Sequence, residues 1–489
     1  MNDLSRRTFL GSLLAAPFIR AEDEWIPLFD GRSLAGWKAS ENQGGWSVQD
    51  GCLEFSGARS HLFYTEPLRN AEFKNFELKA EVMTWKGANS GVFFHTKYQP
   101  SGWPAQGFEA QVCNSCTGEG SYRERKRTGS LYGVRNVYKA FARDGEWFQL
   151  HIAVRGKNVQ VRVNDVLIVD YVEPDQPVSI GKTNSHVLGR GTFALQGHDA
   201  GSRVRYRNIL VRPLPDDAVS PNPDRPIVDP IYTKLLELSD RNYPVVDYHV
   251  HLKGITLEEA LRESRRLGIH YGIAVNCGVG FPITDDAGIL DFLKSMAGQP
   301  VFVAMQAEGR EWVKMFSRDA IAKFDYVFTD AMTFTDDKGK RMRLWMKNEV
   351  GEIDDREKFM DLIVDRILGV LNREPIDIYV NPTFLPEAMA ADYDRLWTPE
   401  RMEKVIEAAR KNEVAIEINA RYRIPSPRFI KAAKQAGVKF SFGTNNADRN
   451  LGRLEYCVQM VEECGLGWQD IFVPRSEGEK AIQRRGLPA

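Results

Sequence analysis

The hydrophobic period of this chain changes once, and the change falls at a proline-rich stretch. Six prolines lie between Pro213 and Pro230. They remove backbone donors and fix φ, which leaves a semi-rigid spacer in place of a helix or strand. Before this stretch, apolar and polar residues alternate in short runs: Phe76–Val82, Gly91–His95, Phe108–Val112, Phe148–Val154 and Val159–Val163, punctuated by Gly, Asn and Asp. Many short alternating strands with turn residues between them imply a two-sheet sandwich. After it come seven strand-like runs: Val245–His251, Tyr271–Cys277, Val301–Glu308, Tyr326–Ala331, Asp377–Asn381, Val414–Asn419 and Lys439–Asn445. Amphipathic stretches such as Thr256–Leu267, Arg356–Leu371, Glu400–Lys411 and Arg428–Ala436 separate them. Apolar runs alternating with helices mean parallel strands, and seven such units suggest a closed or nearly closed barrel. The chain is therefore read as multidomain: an all-β sandwich over 25–213, a Pro-rich linker over 214–240 and a (β/α)7 barrel over 241–480.

Charge excludes some partners. The 489 residues carry 65 Lys and Arg against 66 Asp and Glu, with no basic stripe, so nucleic acid is not expected. At the N-terminus, Ser5-Arg6-Arg7-Thr8-Phe9-Leu10 is a twin-arginine signature. It is followed by an apolar run to Ile19 that is too short to span a bilayer. Residues 1–21 are read as a cleaved signal peptide of the twin-arginine route, which makes the protein periplasmic or secreted, with no stable membrane span. Export permits disulfides. Among six cysteines, Cys113-Asn-Ser-Cys116 is read as ordinary loop cysteines, with one bridge allowed, in preference to a metal clip, because no second C-x-x-C exists.

In the second half, Asp247-Tyr248-His249-Val250-His251 puts two imidazoles on one side of a strand. The remaining strand ends supply Asn276 and Cys277, Glu308, Asp330, Asn381, Glu417 and Asn419, and Asn445 and Asn446. Barrel sites are built at such ends. A divalent metal (zinc, manganese or iron) held by His249, His251, Glu308 and Asp330 is the expectation; the rival is a ring of polar groups that bond one another. From the opening Asp-x-His-x-His, Glu308 and the Phe442-Gly443-Thr444-Asn445-Asn446 turn, residues 243–474 resemble the PHP (polymerase-and-histidinol-phosphatase-like) family of metal-dependent phosphoesterases. The site departs from that family's pattern. Asp330 and Asn381 stand where histidines are usual, and Gly443-Thr444-Asn445-Asn446-Ala447 replaces a Gly-Ser-Asp-x-His turn.

In the first half the informative stretches are Leu28–Trp37, Asn89–Phe94, Gly107–Val112, Thr128–Gly133 and Leu195–Asp199. In that order they resemble the 3-keto-disaccharide hydrolase family, concanavalin-like jelly-roll sandwiches. The resemblance implies a carbohydrate partner, a glycoside oxidised at carbon 3. A ketone there acidifies the carbon-2 proton, so an enolate forms and expels the carbon-1 substituent, either by elimination or with hydrolysis. The site then needs a base, an acid and an enolate stabiliser. Glu109, His198 and His95 are the catalytic candidates, with Glu109 or His198 as base or as ligand of a divalent metal. Gln111, Tyr132, Arg135, Trp103 and Asp199 are the substrate-binding candidates. Trp37 and Trp46 are assigned to the core, and Arg123–Arg127 to a solvated loop. Three readings stay open: a sandwich that cleaves 3-keto-glycosides, a metal-dependent hydrolase in the barrel with a sugar-binding sandwich, and a non-catalytic sugar-binding protein.

Overall fold

The computed structural model describes residues 24–66, 68–118, 122–177, 186–226, 229–335 and 339–488. The twin-arginine segment lies outside the described residues. No helix among them is long and apolar enough to cross a membrane.

The first half is a two-sheet antiparallel sandwich. One sheet runs in the order Val166–Val172, Asn158–Val163, Phe148–Arg155, Phe76–Thr84, Arg203–Pro213, Cys52–Ser56 and Trp46–Gln49, with Ile26–Pro27 paired to Arg203–Pro213. The other runs Trp37–Ala39, Ser60–Tyr64, Thr192–Gly197, Ser90–Thr96 and Phe108–Val112. Strand alternation sends Leu62, Val92, Phe94, Phe108, Ala110 and Leu195 between the sheets, where Trp37 and Trp46 are also buried. The same alternation leaves a second set on the outer face of the five-stranded sheet: His61, Phe63, Gly91, Phe93, Glu109, Gln111, Ala194 and Gln196. Phe63, Phe93 and Ala194 form their own small apolar cluster there. Cys113 and Cys116 are joined in a disulfide.

The second half is a nearly closed parallel barrel. All seven expected strands appear, in chain order around the sheet: Val246–Val250, His270–Cys277, Phe302–Ala307, Tyr326–Thr329, Ile378–Tyr379, Ala415–Asn419 and Phe440–Gly443. The seventh returns to the first through Asn445 N–H donating to His249 O at 2.9 Å. The helices expected from amphipathic spacing are present as Leu257–Leu267, Arg356–Arg373, Pro399–Lys411 and Pro427–Gln435. Sequence supplies their starts: Thr256, Asp355, Thr398 and Ser426 each accept a backbone N–H at the first turn.

The sandwich seats on the N-terminal end of this barrel. Asn136 Nδ2 donates to Ser239 Oγ at 2.6 Å, Tyr138 N to His270 Nδ1 at 3.0 Å, and Lys139 pairs with Asp325 at 2.7 Å. His270 opens the second barrel strand, and Asp325 immediately precedes the fourth. Arg135, expected to bind sugar, is instead part of this seat. Its Nε and Nη2 donate to the carbonyls of Arg265 and Arg266 at 3.1 and 3.0 Å, at the last turn of Leu257–Leu267. A guanidinium is well suited to that place, because the final carbonyls of a helix lack internal partners and carry its negative end.

Candidate functional site

Glu109 and Gln111 lie on the outer face of the five-stranded sheet, two apart on the edge strand Phe108–Val112. The neighbouring strand presents Gly91 opposite Gln111. The next presents Gln196, which in turn is paired with His61. Gly91 is a requirement of close approach: a Cβ there would sit 2.0 Å from Glu109 Oε1. The missing side chain lets the Glu109 carboxyl lie across the strand and accept from Gln196 Nε2 at 2.9 Å. Gln111 Nε2 meanwhile donates to Asn89 Oδ1 at 3.2 Å.

Two residues beyond Gln196, His198 Nδ1 lies 2.6 Å from Asp199 Oδ2. Asp199 is itself held by Gly201 N at 2.8 Å and Ser202 Oγ at 3.1 Å. The imidazole is thereby oriented by a carboxylate, which is the arrangement of a proton-accepting His. Its ring packs against Trp103 (centroids 5.0 Å apart) and stacks with Tyr122 (6.0 Å). Trp103 is 37% exposed and also touches His61, so an aromatic face stands at the rim.

The stretch Arg123–Arg127, read from sequence as solvated, is not. Tyr122, Glu124 and Lys126 fold over the outer face. Glu124 and Lys126 are a buried ion pair at 3.6 Å, with side chains 0% and 2% exposed. The Lys126 ammonium also lies 4.4 Å from the ring centre of Tyr132, and the Tyr122 hydroxyl bonds to Glu124. Tyr132 is therefore in the cluster, tied by its own N–H to Glu109 O at 2.9 Å. Burial, reinforced by the Glu124 charge, pushes the Glu109 carboxyl up to about 8; Lys126 and the Gln196 bond only partly offset this. At neutral pH Glu109 is chiefly the protonated acid. Burial also presses His61 down to about 3, so its imidazole is neutral. Both His61 ring nitrogens and Gln196 Oε1 are buried with no partner among the described residues. Such atoms at the floor of a site are what a hydroxylated ligand would satisfy.

His95 does not join this group. Alternation would put it on the outer face, but its φ is 55°, in the left-handed region, where the strand register slips. The ring turns back against Phe76 and Phe94; Nε2 lies 2.9 Å from Lys74 O, and Nδ1 accepts from Gly189 N at 3.2 Å. Burial brings it down to about 4, so it is a neutral bridge within the fold. The residues that sequence reasoning missed are His61, Tyr122, Glu124, Lys126 and Gln196. Of these, only Gln196 carried a usable signal, two positions before His198.

At the C-terminal end of the barrel the expected ring of polar strand ends is present, and its members bond one another. His249 Nδ1 is 2.6 Å from Glu417 Oε1, and Glu417 Oε2 accepts from Asn381 N and Asn419 Nδ2, each at 2.9 Å. Asn381 Oδ1 accepts from Asn419 and Asn445, while its Nδ2 donates to Asp330 at 2.8 Å. Glu308 Oε1 accepts from Asn276 at 2.7 Å and Gln306 at 2.9 Å. Burial and then the Asp330 charge push Glu308 up to about 8, and burial also raises Asp330. His249 and His251 are neighbours, with ring centres 5.2 Å apart. Even so, among the described residues no three His, Cys, Asp or Glu side chains are grouped to hold a metal ion. In the expected set of His249, His251, Glu308 and Asp330 the carboxylates accept from the amides of Asn276, Gln306 and Asn381, and an amide is a weaker ligand for a transition metal than an imidazole or carboxylate. Arg310 donates to Glu374, Thr329 and the Asp330 carbonyl. Beside this ring lies a cavity of about 490 Å³, lined by Phe384, Tyr393, Tyr422 and Tyr456 among others.

With this geometry in view, the relatives are informative for the first half. Residues 24–212 match the family model of the 3-keto-alpha-glucoside-1,2-lyase-like domain. A 3-keto-disaccharide hydrolase of Bacteroides thetaiotaomicron is 32% identical over 84 residues, 15% of this chain and 27% of that protein. The chain thus spans about a quarter of the length of the curated relative it matches. Among solved structures, two chains described as glycosyl hydrolases of Parabacteroides distasonis align with the same half. One is 26% identical at a TM-score of 0.32, covering 39% of this chain and 100% of its own; the other is 21% identical at 0.34, covering 39% and 94%. A carbohydrate-binding module of Bacillus subtilis aligns at 12% identity and a TM-score of 0.26, over 36% of this chain and 95% of its own.

Proposed function

We propose that the sandwich cleaves glycosides bearing a ketone at carbon 3, by enolisation at carbon 2 and loss of the carbon-1 substituent. The observation that carries this reading is the meeting, on one sheet face, of a protonated buried acid (Glu109) with a carboxylate-oriented imidazole (His198–Asp199). The family match over residues 24–212 supplies the substrate class.

His198 takes the carbon-2 proton, and the electron pair moves into the carbon 2–carbon 3 bond, which leaves the charge on the carbon-3 oxygen. Lys126, buried beside Glu124, is the positive charge that meets this anion. As the ketone re-forms, a carbon 1–carbon 2 double bond forms and the carbon 1–oxygen bond breaks. Glu109 gives its proton to the departing oxygen. Water then adds across the double bond: ionised Glu109 takes a proton from the water as its oxygen bonds carbon 1, and protonated His198 returns its proton to carbon 2, which restores both groups. The unpaired nitrogens of His61 and Gln196 Oε1 bind ring hydroxyls, and Trp103 covers the sugar face. Gln111 and Tyr132 flank Glu109 as binding groups. Export by the twin-arginine route would bring the enzyme to periplasmic or extracellular sugars.

The test is incubation of the full-length protein with a 3-keto-glucoside, following loss of substrate and appearance of the unsaturated ketosugar. Wild-type turnover that Glu109→Gln and His198→Ala each abolish supports the reading. Turnover that survives both variants, or binding without any turnover, overturns it.

A further inference from the structure

The segment that lays Glu124 and Lys126 into the sandwich site has a second face, and that face meets the barrel. Successive side chains of an extended segment point to opposite sides. Tyr122, Glu124 and Lys126 take the sugar side. Arg125 takes the other, its guanidinium 5.2 Å from the ring centre of Trp468 in the turn that follows Glu455–Glu463 of the barrel. That turn belongs to the end of the barrel on which the sandwich sits, since Phe472 N donates to Phe440 O at the start of the seventh strand. Arg127 points away as well, donating to Cys116 O at 2.6 Å and to Cys113 Sγ at 3.1 Å across the disulfide turn.

The downstream end of the segment is fastened to the same end of the barrel. Arg127 N donates to Val137 O at 2.9 Å, and Val137 N to Ser130 Oγ at 3.0 Å. Val137 sits between Asn136 and Tyr138, the residues whose side chain and N–H are bonded to Ser239 and His270. A buried Glu–Lys pair needs fixed geometry, because displacement by even about 1 Å leaves charges out of water without their partner.

We propose that the N-terminal end of the barrel is a positioning surface for the sandwich site. Trp468, through Arg125, and the Ser239–His270 seat, through Val137, hold Glu124 and Lys126 in register over Glu109. The proposal rests on the reading of the sandwich as the catalytic half, but its physical core can be measured without catalysis. It gives the barrel a role in the chemistry that requires no ligand of its own. Arg125 and Trp468 are positioning residues; neither touches the site.

The experiment uses the full chain with Trp468→Ala, Trp468→Phe, Arg125→Ala and Arg125→Lys. Backbone hydrogen exchange over residues 122–127 should rise at least tenfold in the two alanine variants. It should return to within about threefold of wild type in Trp468→Phe and Arg125→Lys, which keep a ring or a cation. With a 3-keto-glucoside, kcat should fall about tenfold in the alanine variants while KM changes less than threefold. Exchange and kcat both at wild-type levels in Arg125→Ala overturn the proposal. So does equal damage in the alanine and conservative variants, which would mark a general folding defect. If Trp468→Ala fails to fold, Arg125→Ala, on the sandwich side, decides alone. Absence of turnover in the wild type removes the catalytic reading, while the exchange result still judges the brace.

Discussion

Glu109 lies across Gly91, its carboxyl filling the space that any side chain at position 91 would occupy. The acid of the site is thus placed by an absence on the neighbouring strand. Gly91→Ala should keep the sandwich folded, at a cost of about 1–3 kcal/mol for overpacking. It should also break the Glu109–Gln196 bond and lower kcat by at least about a hundredfold. Thermal melts together with steady-state kinetics check both halves of this expectation.

The raised Glu109 carboxyl makes both activity and stability depend on pH. As a proton donor it is active below its value of about 8, so kcat should fall as pH rises through that value. For stability, the unfolded carboxyl ionises near its ordinary 4.5 while the folded one keeps its proton to about 8. Between these values the folded state binds more protons, so stability is full below 4.5 and declines by up to ~1.4 kcal/mol per pH unit as pH rises toward 8. Glu109→Gln should flatten the stability profile, which denaturation curves from pH 4 to 9 would reveal.

Asp199 orients His198 without touching the sugar carbon that loses its proton. Asp199→Asn should therefore lower kcat by about 10²–10⁴ with KM nearly unchanged, and His198→Ala should lower it at least as far. Ser202→Ala, which removes one hydroxyl bond to Asp199, should fall between wild type and Asp199→Asn. Equal activity in Asp199→Asn and wild type would remove the dyad from the mechanism.

At the far end of the barrel, His249→Ala strands the buried Glu417 carboxylate without its partner. A loss of about 1–3 kcal/mol of stability is expected for the buried acceptor left unsatisfied, seen as a lower melting temperature. Well below that temperature, turnover of a 3-keto-glucoside should stay within twofold of wild type. Elemental analysis of the purified full-length protein should find transition metal well below one equivalent, before and after the substitution.

Much of this architecture could be read from residue order. The barrel strands were legible because each is a short apolar run bounded by a polar strand end and an amphipathic stretch, and those signals are local. That Glu109 and Gln111 share one face of a strand was legible from spacing alone. His95 was misread because alternation assumes a regular strand, whereas a left-handed φ at that residue reverses its ring. Histidine enters that region more readily than most residues, but nothing in the flanking sequence announces it. Arg135 was misread because its partners, Arg265 and Arg266, lie about 130 positions away. Glu124 and Lys126 were hidden in a run of charges that ordinarily means solvent; only the turn of that segment over the sheet buries them as a pair. The strand-end ring was correctly located, yet the choice between ligand and hydrogen-bond partner depended on where the asparagine amides point.

Because the sandwich rests on the entry end of the barrel strands while the polar ring lies at their exit end, the length of those strands separates the ring from the seat, and a change at the ring would reach the sandwich through the barrel wall.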